Sequence, residues 1–244
     1  TNYPEDFARI AAKRSITDAE LAEMKEVAEN IYFPFSEELG IYLQQDGFLD
    51  KDLTPVSELP KEERPINQKW SWDRILRSAY IKQADVLQSF YYFEDQFSKV
   101  QLEKHFDFYE PLTVHESSLS PCVHSIQAAT LGRMEQAYTF YLRTSRLDLD
   151  DYNKEVHEGL HITSMAGTWM SIVEGFGGMR VKNDQLYFEP RLPEQWEGFT
   201  FKVNFRHQIL KVIVNKGETT FELEGTEPLE VYVFDQKVVV QPSI

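Results

Sequence analysis

Apolar residues recur along the chain with two different periods, and the change from one to the other divides it. Up to about residue 176 the spacing is helical. Thr17-Asp18-Ala19-Glu20 is a capping box followed by Leu21, Met24, Ala28 and Ile31, which predicts a helix over about 18–30, ended by Pro34. Gln83, Val86, Phe90, Phe93 and Phe97 form the inward stripe of a second helix opened by Lys82, and a short helix follows over about 100–108. Ser120 before Pro121 reads as an N-cap with proline at the first helical position. Two helices then follow, on either side of Gly132. Ile162, Met165, Trp169, Ile172 and Val173 predict a buried helix over about 160–174, stopped by Gly175, Gly177 and Gly178.

Beyond that point the period becomes two. Phe199, Phe201, Val203 and Phe205 alternate with Thr200, Lys202, Asn204 and Arg206. Leu186 and Phe188 precede them, and Leu210, Val212, Val214, Phe221, Leu223, Leu229, Val231, Val233, Val238 and Val240 follow, with turn signals roughly every 8–12 residues. This is the pattern of an antiparallel meander or sandwich. The expected division is a helical part over 1–176 and a β domain over 177–244.

Two stretches carry neither period. Ser36 to Leu49 mixes aromatics, amides and acids around Gly40 and Gly47, as either a polar cleft wall or a plain connecting loop would. From Asp50 to about Arg77, Pro55, Pro60 and Pro65 alternate with charges. Irregular excursions of this length tend to be functional or mobile. Trp70 and Trp72 could stack on sugar faces or pack as core.

The chain of 244 residues is 42% hydrophobic and 14% aromatic, enough for a substantial core. Its net charge of −15 argues against nucleic acid or an anionic membrane as partner. The single cysteine, Cys122, excludes an internal disulfide framework and points to a reducing, cytoplasmic setting. No apolar run approaches the ~20 residues of a membrane span.

Candidate chemistry gathers at three places. His161 and Ser164, three apart, share a face of the 160–174 helix. With Thr163 and the free amides of a first helical turn they would accept an anion such as phosphate, or merely cap the helix. Lys82 opens an aromatic segment where a partly desolvated ammonium would want an anion or hydroxyls, unless it simply snorkels to water. His115-Glu116-Ser117-Ser118 is dense in donors and acceptors, as a site wall or a self-satisfying turn.

Several of these strings occur together and in order: Trp70-Ser71-Trp72-Asp73, Ile81-Lys82-Gln83-Ala84-Asp85-Val86, Tyr109-Glu110-Pro111-Leu112-Thr113, His115-Glu116-Ser117-Ser118-Leu119-Ser120, and Gly159-Leu160-His161-Ile162-Thr163-Ser164 with Gly175-Phe176-Gly177-Gly178. The chain thereby resembles the disaccharide phosphorylases of glycoside hydrolase family 65, which include maltose, trehalose and kojibiose phosphorylases. The wording around Gln44-Gln45-Asp46-Gly47 and Lys69-Trp70 is most similar to the maltose-cleaving members.

The resemblance implies the later helices of an (α/α)6 barrel followed by a small antiparallel β domain. It implies attack of inorganic phosphate on an α-glucosidic bond with inversion, giving β-glucose 1-phosphate and glucose from maltose. It also implies substrate binding by Lys82 and Gln83, phosphate binding by His161, Ser164 and Thr163, no metal, phosphate as the co-substrate, and a homodimer when complete. The family's general acid is a Glu in an Asn-Glu-Tyr type motif, and no such motif occurs in this chain. The expectation is therefore a C-terminal portion whose acid and remaining barrel lie upstream of Thr1, inactive alone. Such a portion would expose the stripes Leu21-Met24-Ala28 and Val86-Phe90-Phe93. A hydrolase using Glu116 or another carboxylate as base and a non-catalytic carbohydrate-binding or assembly module are the competing readings.

Overall fold

The structure is a computed structural model that describes residues 3–152 and 154–242. It opens with helices α1 (Pro4–Arg14) and α2 (Asp18–Asn30). Thr17 caps α2 as its sequence requires, accepting from the Glu20 amide at 3.2 Å. Helix α1 lies outside the sequence expectation, although Pro4, Glu5 and Asp6 at its start and Lys13 and Arg14 at its end match a helix dipole. Neither helix buries a residue.

A two-strand hairpin, β1 (Phe35–Ser36) and β2 (Ile41–Tyr42), leads into the proline-rich excursion, which holds only short helical pieces, among them α3 (Ile66–Lys69) and α4 (Trp72–Arg77). Four helices and a longer fifth then build the core: α5 (Asp85–Tyr92), α6 (Lys99–Tyr109), α7 (Ser120–Leu131), α8 (Met134–Ser145) and α9 (Ile162–Met170), the last continuing as a π-helical segment over Ser171–Phe176. Helix α7 is the hub. It is buried from Ser120 to Ala129 and packs on α5, α6, α8 and α9. Apart from His124 and Gln127 its buried residues are apolar or small, as suits such a position.

Several sequence expectations need correction. Helix α5 is shorter than its stripe suggested, and its buried residues are Leu87 and Phe90, with Phe93 left 53% exposed. Lys82 and Gln83 precede it because Ile81 is tied into a parallel bridge with Thr113, donating to the Leu112 carbonyl and accepting from the Val114 amide, which holds 81–83 out of the helix. Phe90 is covered within the chain by Phe97 and His105. Ser120 is the first residue of α7 rather than its cap, since its hydroxyl is bonded to the His115 ring at 2.8 Å.

Helix α9 is turned the other way from its apolar stripe. Ile162, Met165 and Trp169 are 66%, 47% and 47% exposed, while Ser164, Gly167 and Ser171 face α7 and α8. The reason is close approach: a Cβ at Gly167 would stand 2.8 Å from Cβ of Cys122. Only the small-residue face can lie this near α7, so the large apolar residues point outward.

Those residues are exposed apolar side chains, as are Phe7 and Ile10 on α1, Met24 and Val27 on α2 and Ile31 just after it. Soluble monomers rarely leave patches beyond a few hundred Å² uncovered. The 244-residue chain by itself is expected to self-associate. Light scattering across a dilution series tests this, and a monomer at every concentration contradicts it.

The β domain comprises β3 (Arg180–Lys182), β4 (Gln185–Phe188), β5 (Gly198–Phe205), β6 (Gln208–Asn215), β7 (Glu218–Glu224), β8 (Leu229–Val233) and β9 (Gln236–Val240). Strands β5-β6-β7 form an antiparallel sheet and β3-β4-β8-β9 a second one. The pairing of β4 with β8 is parallel, a departure from the all-antiparallel expectation. It follows from connectivity, because the β5–β7 sheet is inserted between these two strands and the chain returns in its original direction. Phe188, Phe201, Leu210, Val212, Leu223 and Val231 pack in the space between the sheets.

The two parts are joined by more than the chain. Val173 of the π-helical segment belongs to the core of the β domain. Tyr91 of α5 donates to Glu174 at 2.5 Å, and Arg180 of β3 pairs with Glu94 at 2.7 Å.

Candidate functional site

The start of α9 is held by one carboxylate. Asp148, in the turn after α8, accepts from the His161 amide at 2.9 Å and from its Nδ1 at 2.5 Å. An ionised carboxylate only accepts, so Nδ1 carries the hydrogen and the ring orientation is set, with Nε2 3.9 Å from Glu155. The amide and ring of His161 hold the Asp148 carboxyl below its usual range.

The other two residues of this cluster behave differently from one another. Ser164 is 3% exposed, and its hydroxyl donates to the Thr144 carbonyl on α8 at 2.7 Å, so its hydrogen fastens α9 to α8. Thr163 is exposed, and its hydroxyl lies 2.7 Å from that of Ser118. The amides expected to be free at this helix start are largely engaged. That of His161 serves Asp148, and those of Ile162 and Ser164 bond to the carbonyls of Leu160 and His161.

The loop before α7 connects this cluster to the second one. Ser117 donates to Gln83 Oε1 at 2.8 Å, while its neighbour Ser118 meets Thr163. Gln83 is half-buried and Lys82 exposed. Asp85 extends the arc, accepting from Gln44 Nε2 at 3.1 Å, and burial raises its carboxyl against the lowering effect of Gln83. Gln44 thus brings the Ser36–Leu49 stretch to the same edge.

The third cluster divides. Glu116 is buried, and its two oxygens accept from the amides of Ile66 and Asn67 at 2.8 and 3.3 Å, capping α3. His115 points beneath the loop, 6% exposed and bonded to Ser120. Trp70 donates its indole N–H to Glu63 and lies under the Arg74 guanidinium at 3.5 Å, while Trp72 is 74% exposed.

Hydrogen bonds pair Gln83 with Ser117, Ser118 with Thr163 and Asp148 with His161, and the chain links these three pairs through Ser117-Ser118 and through the start of α9, a run of polar contacts called the arc below. Asp148 carries no mark in the sequence, where it is one acid in the run Asp148-Leu149-Asp150-Asp151. Ser117 and Ser118 were visible only as part of a dense string. Among the described residues, no three His, Cys, Asp or Glu side chains are grouped to hold a metal, and no helix is long and apolar enough to cross a membrane.

Comparison with known proteins supplies the family. Residues 2–170 match the glycosyl hydrolase family 65 central catalytic domain, and residues 179–240 the C-terminal domain of the same family. The chain is 51% identical, over 93% of its length, to maltose phosphorylase of Bacillus subtilis (strain 168), and 41% identical, over 98% of its length, to alpha,alpha-trehalose phosphorylase of Thermoanaerobacter brockii. It covers 30% and 31% of those two proteins. A solved structure provisionally described as a kojibiose phosphorylase from the human microbiome superposes with a TM-score of 0.88 at 38% identity, over 96% of this chain and 32% of that one. Its helices and the mixed β domain after them follow the order of those relatives, and the chain belongs to glycosyl hydrolase family 65.

Proposed function

We propose that this chain forms the phosphate-facing and part of the sugar-facing wall of an inverting disaccharide phosphorylase. The observation that carries the reading is that the loop before α7 and the start of α9 meet through the Ser118 and Thr163 hydroxyls, with Ser117 bonded to Gln83 and the His161 imidazole oriented by Asp148. An inverting hydrolase needs a second carboxylate to activate water. Phosphate arrives already anionic, so that carboxylate would repel it, and neutral or cationic donors belong in its place. Glu116, one candidate base of the hydrolase alternative, has both oxygens engaged by backbone amides.

In this reaction a phosphate oxygen bonds to the anomeric carbon as the glycosidic C–O bond breaks, and a carboxylic acid protonates the departing sugar oxygen. We assign that acid to the part of the enzyme preceding Thr1. We assign Lys82 and Gln83 to the sugar and Ser117, Ser118, Thr163 and His161 to phosphate. Ser164 supports α9 from below.

The similarity to maltose phosphorylase of Bacillus subtilis supports maltose as the disaccharide. The test is to incubate the enzyme containing this chain with maltose, trehalose, kojibiose and nigerose, with and without inorganic phosphate. Maltose should give β-glucose 1-phosphate and glucose only when phosphate is present. Release of two glucose molecules in its absence would establish hydrolysis instead. Calorimetric sugar binding by the 244-residue chain, indifferent to phosphate, would favour a binding module.

A further inference from the structure

The loop that carries Ser117 and Ser118 rests on a buried polar array that packing alone does not require. His115 adopts a left-handed backbone, φ +55°, which residues other than glycine seldom take. Two contacts hold it there: Arg143 donates from Nη2 to the His115 carbonyl at 2.8 Å, and the ring Nδ1 meets the Ser120 hydroxyl at 2.8 Å. The ring lies edge-on to His124 at 4.4 Å and against Phe140 at 4.9 Å. His124 in turn donates from Nδ1 to the Ser120 carbonyl at 3.0 Å, so both histidines grip the first residue of α7.

This arrangement leaves Nε2 of His115, Nε2 of His124 and Nε of Arg143 buried without partners among the described residues. Unpaired buried polar atoms are unfavourable, and aliphatic side chains would fill the same space without them. What the polar side chains provide, and aliphatic ones cannot, is a fixed anchor for the His115 carbonyl and ring. Two residues later the chain presents Ser117 to Gln83, and one further on Ser118 to Thr163.

We propose that His115 and Arg143 are positioning residues, holding the 115–119 loop in the conformation in which the Ser117 and Ser118 hydroxyls converge on the anion. The proposal rests on the phosphate reading above. Burial, with His124, Arg143 and Arg64 facing the ring, pushes His115 well below the ordinary histidine range, and burial lowers His124 to about 4. Both rings are then neutral at neutral pH, and the anchor needs no charge on either.

The experiment is steady-state kinetics of the complete enzyme at varied phosphate. A loop no longer pre-organised weakens ground-state and transition-state contacts alike, so KM for phosphate should rise about 10-fold in His115→Ala while kcat and the disaccharide KM change by less than about 3-fold. His115→Asn tolerates the left-handed backbone and carries an amide where Nδ1 sits, so it should restore phosphate KM to within about 3-fold. Arg143→Met, which keeps the packing and removes the donor, should raise phosphate KM as His115→Ala does, and it carries the test if the alanine variant fails to fold. Phe140→Leu touches the same rings and should lower Tm with phosphate KM unchanged.

Equal changes in phosphate KM for His115→Ala and Phe140→Leu, or no rescue by asparagine, would reduce the array to packing. Ser118→Ala separates the two levels. If it raises phosphate KM and neither His115→Ala nor Arg143→Met does, the positioning role alone fails. If Ser118→Ala leaves phosphate KM unchanged, the phosphate site lies elsewhere and both readings fall.

Discussion

Replacing His161 with alanine is expected to slow phosphorolysis at sub-saturating phosphate by roughly 10- to 150-fold, the equivalent of about 1.5–3 kcal/mol for one hydrogen bond to a charged group. The size follows from how the ring is held. Asp148 takes Nδ1–H, so the imidazole is already oriented, and Nε2 is the ring nitrogen left to meet a phosphate oxygen. Asp148→Asn should produce a smaller loss, because an amide oxygen can still accept from either the His161 ring or its amide but with no charge behind it.

The pH dependence has a defined sign. Asp148 titrates below its usual range in the folded chain, so its contribution to stability and to ring orientation is present at neutral pH and is lost as the pH falls through that lowered pKa. Phosphate KM should therefore rise on the acid side, and this limb should vanish in Asp148→Asn. Initial rates at varied phosphate and pH, with Tm measured alongside, decide the matter. A fall in Tm with unchanged phosphate kinetics would make His161 a helix-start fixture and nothing more.

The second large effect is structural. Phe176→Ala should destabilise the enzyme by about 3–5 kcal/mol, as deletions of a fully buried phenyl ring do. Phe176 ends the π-helical segment, is 0% exposed, and meets Tyr141 of α8 at 5.6 Å and Trp196 at 5.2 Å, both edge-on. Trp196 precedes β5 and packs also on Phe199, so this one ring closes the seam between the helical part and the β domain. The cavity can collapse little. Gly177 follows at once, where a Cβ would stand 2.5 Å from the Val173 carbonyl and 2.9 Å from the Phe201 ring. Urea unfolding of the variant tests the figure, and a loss below about 1 kcal/mol would mean that the seam repacks.

The sequence determined the element types where local chemistry and period agree. Thr17 to Glu20 caps α2, Gly132 separates α7 from α8, and the alternation from Phe199 to Phe205 becomes β5. It also carried the family, because the ordered strings begin at Trp70 and run on to the end of the match to the catalytic domain, which spans residues 2–170.

Tertiary structure alone decided what those elements face. A hydrophobic stripe does not say which partner lies nearest, and α9 turned its small residues inward because Gly167 fits against Cys122 where Met165 could not. A polar string does not say which members meet: Glu116 went to the amides of α3, His115 beneath the loop, and only Ser117 and Ser118 to the arc. Ser164 and His161 share a helix face in the sequence, yet α8 takes the hydroxyl of one and Asp148 the ring of the other. The physical reason is common to all of these. Period is settled within a few residues, whereas burial and most of these hydrogen-bond partnerships are settled by groups 13 to 50 positions away that only the packed chain brings together.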